Sequence, residues 1–352
     1  MVAKLQENEP KVSVIMLNHN GLTYLGDKLD KCISAVLKSD YQNFEFIFVD
    51  NNSTDGSVEY VQSKYLMDKR MLILRLDKNY GSSGGYNKGA LKSSKGSKYL
   101  VFLHNDVEIP KNWIKEMVSF MESSDESAVG AISSVYDVRR AGIYGHVCVE
   151  YPSMYVVDVP VQESIVEINH FSTGCGIIKR DIFLSMGGFD ESIFSWYDEV
   201  EVAWKIKLIG GRIIFNPGVS AIHHCAHIHF KISGLYRNIE IAEKNRIKLC
   251  FTFLEMPSLF ALFVYELYRL LITPIKFKGA EVYRTSVVIK TLIRILYPKF
   301  FNDIITRRKR FQAYRRASDK AFFKPWYITV ERYSGKLPRK AKLARLLYLL
   351  FA

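Results

Sequence analysis

The chain has 352 residues, 48% of them hydrophobic, which is enough to bury a full core as one large domain or two. Five cysteines (Cys32, Cys148, Cys175, Cys225, Cys250) are scattered without CxxC spacing, which argues against a disulfide framework and points to a reducing compartment. The net charge of +13 is unevenly spread: residues 276–352 carry 20 Lys+Arg and 4 Asp+Glu, leaving a slightly acidic remainder. So basic a C-terminal quarter reads as an appendage that meets an anionic partner. The first ten residues, MVAKLQENEP, lack the apolar core of a secretory signal, and a cytoplasmic location is expected.

Four short apolar runs come in order: Val12–Leu17, Phe44–Val49, Met71–Leu76 and Tyr99–Leu103. Each ends in polar or glycine-rich residues, and helical periodicity follows, as in Leu22, Leu25, Leu29, Ile33, Val36 and Leu37. Strand, polar tip and helix, repeated, predict βαβ units around a mostly parallel sheet. The tips then share one edge, where such sheets bind ligands. Asp50 and Asn51 are suited to a base edge or ribose hydroxyls, although Asp, Ser and Thr there also suit a helix cap; Asp55 reads as the cap. The 79–89 stretch (NYGSSGGYNKG) is neither a P-loop nor GxGxxG. Its glycines would still let backbone approach a diphosphate at a helix N-terminus.

The run LVFLHNDVEIP (100–110) ends a buried strand in His104, Asn105 and Asp106. An acid beyond a strand end does no core packing, so Asp106 reads as a group held toward a divalent cation on phosphate oxygens, or as a cap for the next helix.

Val12–Asn20, Phe48–Ser57, Asn79–Gly89 and Leu103–Trp113 together resemble the nucleotide-binding half of the inverting family 2 glycosyltransferases, most of all its rhamnosyltransferase-like members. Thr173–Arg180, Gly187–Glu191, Phe194–Val202 and Asn216–His223 resemble the acceptor half. The resemblance implies an A-type glycosyltransferase fold, a UDP- or dTDP-sugar donor and Mn2+ or Mg2+. The expected donor contacts are Asn18, Asn20, Asp50, Asn51, Asn79, Gly84, Gly85, Asn87 and Asn105. Two departures stand out. The family's aspartate-x-aspartate is His104-Asn105-Asp106, which leaves the metal role on Asp106, and the Glu-Asp pair of the acceptor site is reversed as Asp198-Glu199.

Inverting transfer is one in-line displacement that needs a carboxylate base and positive charge on the departing diphosphate. Residues 198–209 read as a helix, with Asp198 and Glu201 spaced as a capping box, leaving Glu199 free to face the acceptor. Glu199 also matches the family's proposed base, and Asp198 is its rival. His223 matches the family's metal-binding histidine. Its neighbour His224 is a possible substitute, and a zinc site built with His227 and His229 is the less suitable alternative, since the spacing lacks CxxC or HxxxH. Trp196 and Tyr197 are suited either to stacking on an acceptor sugar or to core packing.

The apolar stretch 249–268 is interrupted by Glu255, Pro257 and Glu266 and makes a poor membrane span. A helix packed on the catalytic domain or lying in the bilayer interface suits it better. Arg307–Arg310, Arg315 and Arg316 alternate with Phe311, Tyr314, Phe322, Phe323 and Trp326, and Leu343–Phe351 is apolar. Such interleaving fits anionic headgroups or RNA. Because enzymes of the resembled family often act on lipid-linked glycans, an anionic membrane surface is expected and nucleic acid is not. The expected organisation is a catalytic domain over 1–250 (donor half 11–113, acceptor half 114–250) and a helical basic region over 251–352. The expected activity is transfer of one sugar to a glycan, lipid-linked or part of a cell-surface polysaccharide, by a protein peripheral to the inner face of the membrane. Two other classes were weighed: a sugar-phosphate nucleotidyltransferase, which would want a cation after the first strand where Asn18-His19-Asn20-Gly21 has none, and a non-catalytic carbohydrate- or membrane-binding scaffold.

Overall fold

In the computed structural model, residues 9–138, 141–144, 146–151, 153–159, 164–224, 228–276, 280–295, 297–320, 322, 323, 347 and 350 are described. Strands β1 (Val12–Asn18), β2 (Phe44–Asp50), β3 (Met71–Arg75) and β4 (Tyr99–His104) lie parallel in the order β4-β1-β2-β3. Val14, Ile15, Met16, Phe46 to Val49 and Leu100 to Leu103 are wholly buried. Continuous apolar runs of this kind are what a sheet covered on both faces requires. The crossovers hold helices α1 (Gly21–Leu25), α2 (Asp27–Leu37), α3 (Ser57–Tyr65) and α4 (Gly81–Lys92).

The glycine-rich stretch is mostly helix, and packing explains its composition. A Cβ on Gly85 would lie 2.4 Å from Leu17 Cδ1, and one on Gly89 would lie 2.6 Å from Ile15 Cγ2. Helix α4 can approach β1 so closely only without side chains at those positions.

The second half continues the sheet. It contributes β5 (Val107–Glu108), α5 (Trp113–Ser123), β6 (Ala128–Asp137), β7 (Gly142–Tyr144), β8 (His146–Val149), β9 (Val156–Val159), β10 (Val166–Ile168), β11 (Cys175–Lys179), α6 (Arg180–Ser185), α7 (Asp198–Leu208) and β12 (Arg212–His223). The full order is β10-β12-β6-β11-β4-β1-β2-β3. Strand β11 runs antiparallel to both β4 and β6, so the sheet is mixed. Strand β12 is continuous over Arg212–His223, with a register shift against β6 between Asn216 and Ser220. Pro217, which has no N–H to give a ladder, lies in that irregularity. Phe102 of β4 joins the halves through edge-on or tilted contacts with Tyr86, Phe171, Phe183 and Phe189 at 5.2–6.1 Å, each worth about 0.5–1.5 kcal/mol beyond its buried area.

Helices α8 (Ile228–Phe253), α9 (Met256–Lys276), α10 (Ala280–Ile295) and α11 (Pro298–Gln312) follow. Helix α8 runs through residue 250, so the backbone has no break at the expected domain boundary. Two charges of α9 point inward. Glu266 and Arg269 are buried in an ionic cluster with the fully buried Arg246, whose guanidinium is 2.7 Å from Glu266 and 2.8 Å from Glu243. Met256, Phe260, Phe263, Leu267 and Leu271 are exposed, and their helical spacing makes one outward apolar stripe. No described helix is long and apolar enough to cross a membrane. Cys225, His227, Trp326 and most of Leu343–Phe351 lie outside the described residues, as does the side chain of His229.

Candidate active site

The parallel register sets Asn18 opposite Asp50 and Leu17 opposite His104, aligning the tips of β1, β2 and β4. Buried polar tips must satisfy one another. Asn105 Nδ2 donates to Asn18 Oδ1 at 2.8 Å, and Asn18 Nδ2 donates to Asp50 Oδ1 at 3.2 Å. Asp50 also accepts from the Ser53 N–H (2.9 Å) and hydroxyl (2.5 Å). Asn20, in the left-handed region at φ 54°, accepts the Thr54 N–H at 2.8 Å. Asn51 accepts from Tyr80 N–H (2.8 Å) and donates to Asn79 Oδ1 (3.0 Å) and Gly81 O (2.9 Å). Asp55 accepts the Thr23 and Ser57 N–H groups, just ahead of α3. Asn87 lies deeper, exchanging bonds with the Phe189 backbone, both at 2.8 Å. Asn87, Gly84 and Gly85 are therefore engaged in packing the two halves and α4.

Past β4 the chain turns directly into β5, which pairs antiparallel with the end of β12, His223 facing Val107. This short ladder brings residues 117 positions apart in sequence together. His223 Nε2 lies 3.3 Å from Asp106 Oδ2, and one ligand atom each from His104, Asp106 and His223 fall within 4.8 Å of one another. The sequence left His104 without a role; the structure groups it with Asp106 and His223. His224 turns to Glu108, 3.0 Å away, while its N–H bonds Asp106 O.

Thr173 connects this cluster to Glu199. His104 Nε2 lies 2.9 Å from Thr173 Oγ1, whose hydroxyl donates to Glu199 Oε1 at 2.7 Å, joined there by the Thr173 N–H. His170 Nε2 is 3.6 Å from Glu199 Oε2. Burial and the neighbouring Asp198 charge push the Glu199 carboxyl up to about 7, against the pull of the Thr173 bonds and His223. Thr173 lies in a stretch that resembles the family's acceptor half but has no role legible in the sequence, and His170, a lone histidine after β10, carries no signal in spacing.

The expected capping box does not form. Tyr197, not Asp198, precedes the helix, and no side chain caps it. Asp198 Oδ2 accepts from Ser82 Oγ at 2.5 Å, while Glu201 is buried against Lys205 at 2.6 Å and accepts the Asp190 N–H. Both acids are engaged, but by Ser82 and Asp190 from elsewhere in the chain and by Lys205 one helical turn on, rather than by a capping box. Trp196 and Tyr197 both have positive φ, 63° and 69°, a conformation costing about 1–2 kcal/mol per ordinary residue. Tyr197 donates its hydroxyl to Met154 O at 3.0 Å, and Trp196 Nε1 approaches Asn238 Oδ1 at 3.4 Å. Trp196 is half-buried and so is Tyr197, which packs against the core.

Residues 13–184 match the family model described as Glycosyl transferase family 2. The matched stretch, just under half of the chain, belongs to this family. The O-antigen biosynthesis protein RfbC of Myxococcus xanthus is 28% identical over 227 residues, which are 61% of this chain and 17% of RfbC. The chain thus matches under a fifth of that relative's length. GalNAc-T7, solved with UDP, GalNAc and Mn2+, superposes with a TM-score of 0.62 at 17% identity, over 93% of this chain and 58% of that one. The mannosyltransferase PcManGT of Pyrobaculum calidifontis, solved with GDP-Man and Mn2+, gives 0.52 at 16% identity, over 88% and 86%. The fold of this chain is the A type.

The Glu199 carboxyl holds its proton more tightly folded than unfolded, so its contribution to stability is complete below about pH 4.5 and is lost as pH rises through about 7. Thermal unfolding of the metal-free protein is therefore expected to show Glu199→Gln gaining on the wild type from pH 5 to 8 (approximate bounds set by those two values).

Proposed function

We propose that this chain transfers a single sugar, with inversion, from a UDP- or dTDP-sugar to a hydroxyl of a glycan, lipid-linked or part of a cell-surface polysaccharide. The observation that carries the reading is the continuity of the Asp106, His223 and His104 cluster with Glu199 through Thr173. Two imidazoles and a carboxylate are a donor set suited to a divalent transition ion, Mn2+ more than Mg2+, which prefers oxygen ligands alone. Asp106 and His223, with His104 beside them, would hold it. Bound there, the cation supplies positive charge to the departing diphosphate. Glu199 accepts the acceptor's hydroxyl proton, and a carboxyl tuned near 7 is matched to that task. Thr173 fixes Oε1 of that base with two donors. The role falls to Glu199 rather than Asp198 because Glu199 is the less buried of the two and is the one joined through Thr173 to His104. The nucleoside lies at the strand tips around Asn18, Asp50, Asn51 and Asn79, and Trp196 borders the acceptor. Similar folds solved with UDP or GDP-Man and Mn2+ support the donor class, and the O-antigen relative supports a polysaccharide product.

Glu199→Gln is expected to lower kcat by about 100-fold or more while binding the donor nucleotide normally; turnover at the wild-type rate would remove Glu199 from the role. His223→Ala should weaken Mn2+ binding by about tenfold or more, read by electron paramagnetic resonance of free Mn2+, whereas His224→Ala should change it far less.

A peripheral position on an anionic membrane completes the reading. The outward stripe of α9 and the concentration of Lys and Arg after residue 275 support it. The protein should co-sediment with phosphatidylglycerol vesicles and not with phosphatidylcholine, and Phe263→Asp should reduce that binding. Equal indifference to both lipids would count against the membrane.

A further inference from the structure

The strained turn before Glu199 is held from outside the family-matched stretch, by one face of α8. Asn245 Nδ2 donates to two successive carbonyls, Ser195 O at 2.9 Å and Trp196 O at 3.0 Å. One helical turn on, Lys248 reaches Ser192 Oγ at 2.7 Å, and two turns back Asn238 meets the Trp196 indole. Positions 238, 245 and 248 share a helix face. On the opposite side of the loop, Ser82 N–H donates to Phe194 O at 2.8 Å. The Phe194–Tyr197 segment is thus stretched between the donor half and α8, with its two left-handed residues in the middle.

We propose that Asn245 is a positioning residue for catalysis, holding the left-handed Trp196–Tyr197 turn that aims the first turn of α7, and with it Glu199. The proposal rests on the reading of Glu199 as the base. The amide chemistry is specific: two carbonyls converge on one nitrogen, and only a neutral group with two N–H bonds satisfies both without bringing in a full charge. Without those bonds the two non-glycine residues relax out of the left-handed region and the start of α7 turns away. The donor's contacts, at the strand tips, are untouched.

Asn245→Asp keeps the shape and removes the donors; Asn245→Ala removes them without charge repulsion and serves if the first variant does not fold. Both are expected to lower kcat about tenfold or more, because small misplacements of a catalytic group cost up to about 100-fold. The donor KM and Mn2+ affinity should stay within about twofold of wild type, since a purely positional loss leaves ground-state binding unchanged. Lys248→Met, which cuts a tie to the same loop without touching the turn, should retain kcat. Wild-type kcat in the Asn245 variants, or a parallel loss of kcat and donor affinity, would overturn the proposal. Glu199→Gln run alongside separates the two readings. If it is active while Asn245→Asp is slow, the turn keeps its role and the base becomes Asp198. If it is inactive while Asn245→Asp and Asn245→Ala are fast, the base stands and the clamp fails.

Discussion

The site depends first on the parallel register of β1, β2 and β4, because it forces three polar strand tips into one buried place. Once Asn18 stands opposite Asp50 and beside the β4 tip, their amides and carboxylates have few partners except one another. The chain Asn105–Asn18–Asp50–Ser53 follows from that need. These mutual bonds fix the tips relative to one another, the arrangement that the proposed sugar-nucleotide site would require. The oxygens of Asp50 are largely spent on Asn18 and the Ser53 turn.

The second half adds what the parallel strands cannot. A strand tip on its own supplies donors from one direction. Strand β12 supplies a group from the other, because its far end pairs with the two-residue β5 immediately after Asp106. The irregularity at Asn216–Ser220 lets β12 follow β6 for its first part and still reach β5, a recurrent use of bulges at strand ends near sites. His223 and Asp106 come within 3.3 Å through this backbone pairing, with no flexible loop between them.

Much of this was legible in the sequence because it depends on local pattern. The four donor-half strands and the α7 helix fall within about a residue or two of their expected limits, which is the spread of any boundary assignment. Asp106 stood out because an acid past a strand end does no core packing, and His223 and Glu199 because they match positions of the resembled family. Other features answer to packing as well as to ligands. The glycines of 81–89 suit a ligand loop, and a helix lying directly on β1 asks for the same small side chains at Gly85 and Gly89. Asp198 and Glu201 have capping-box spacing, yet Ser82 and Lys205, distant or a helical turn away, claim them. His170 and Thr173 gain their place at Glu199 only through the antiparallel return of β11, a long-range fact that no local window contains.

The C-terminal helices likewise cannot be judged from charge alone. A positive balance after residue 275 suggests an appendage, but Arg307 is tied to Asp190 and Ser192, and α8 carries Lys248 and Asn245 against the same loop. Several features around Glu199 cost stability: a carboxyl whose ionisation is disfavoured by burial, a second acid beside it, and two non-glycine residues at positive φ. Such features persist only where the surrounding structure over-determines them. Here the hold comes from both sides, Ser82 and Thr173 within the family-matched stretch and Asn245 of α8 beyond it, so the segment around Glu199 ties the sheet to the helical region.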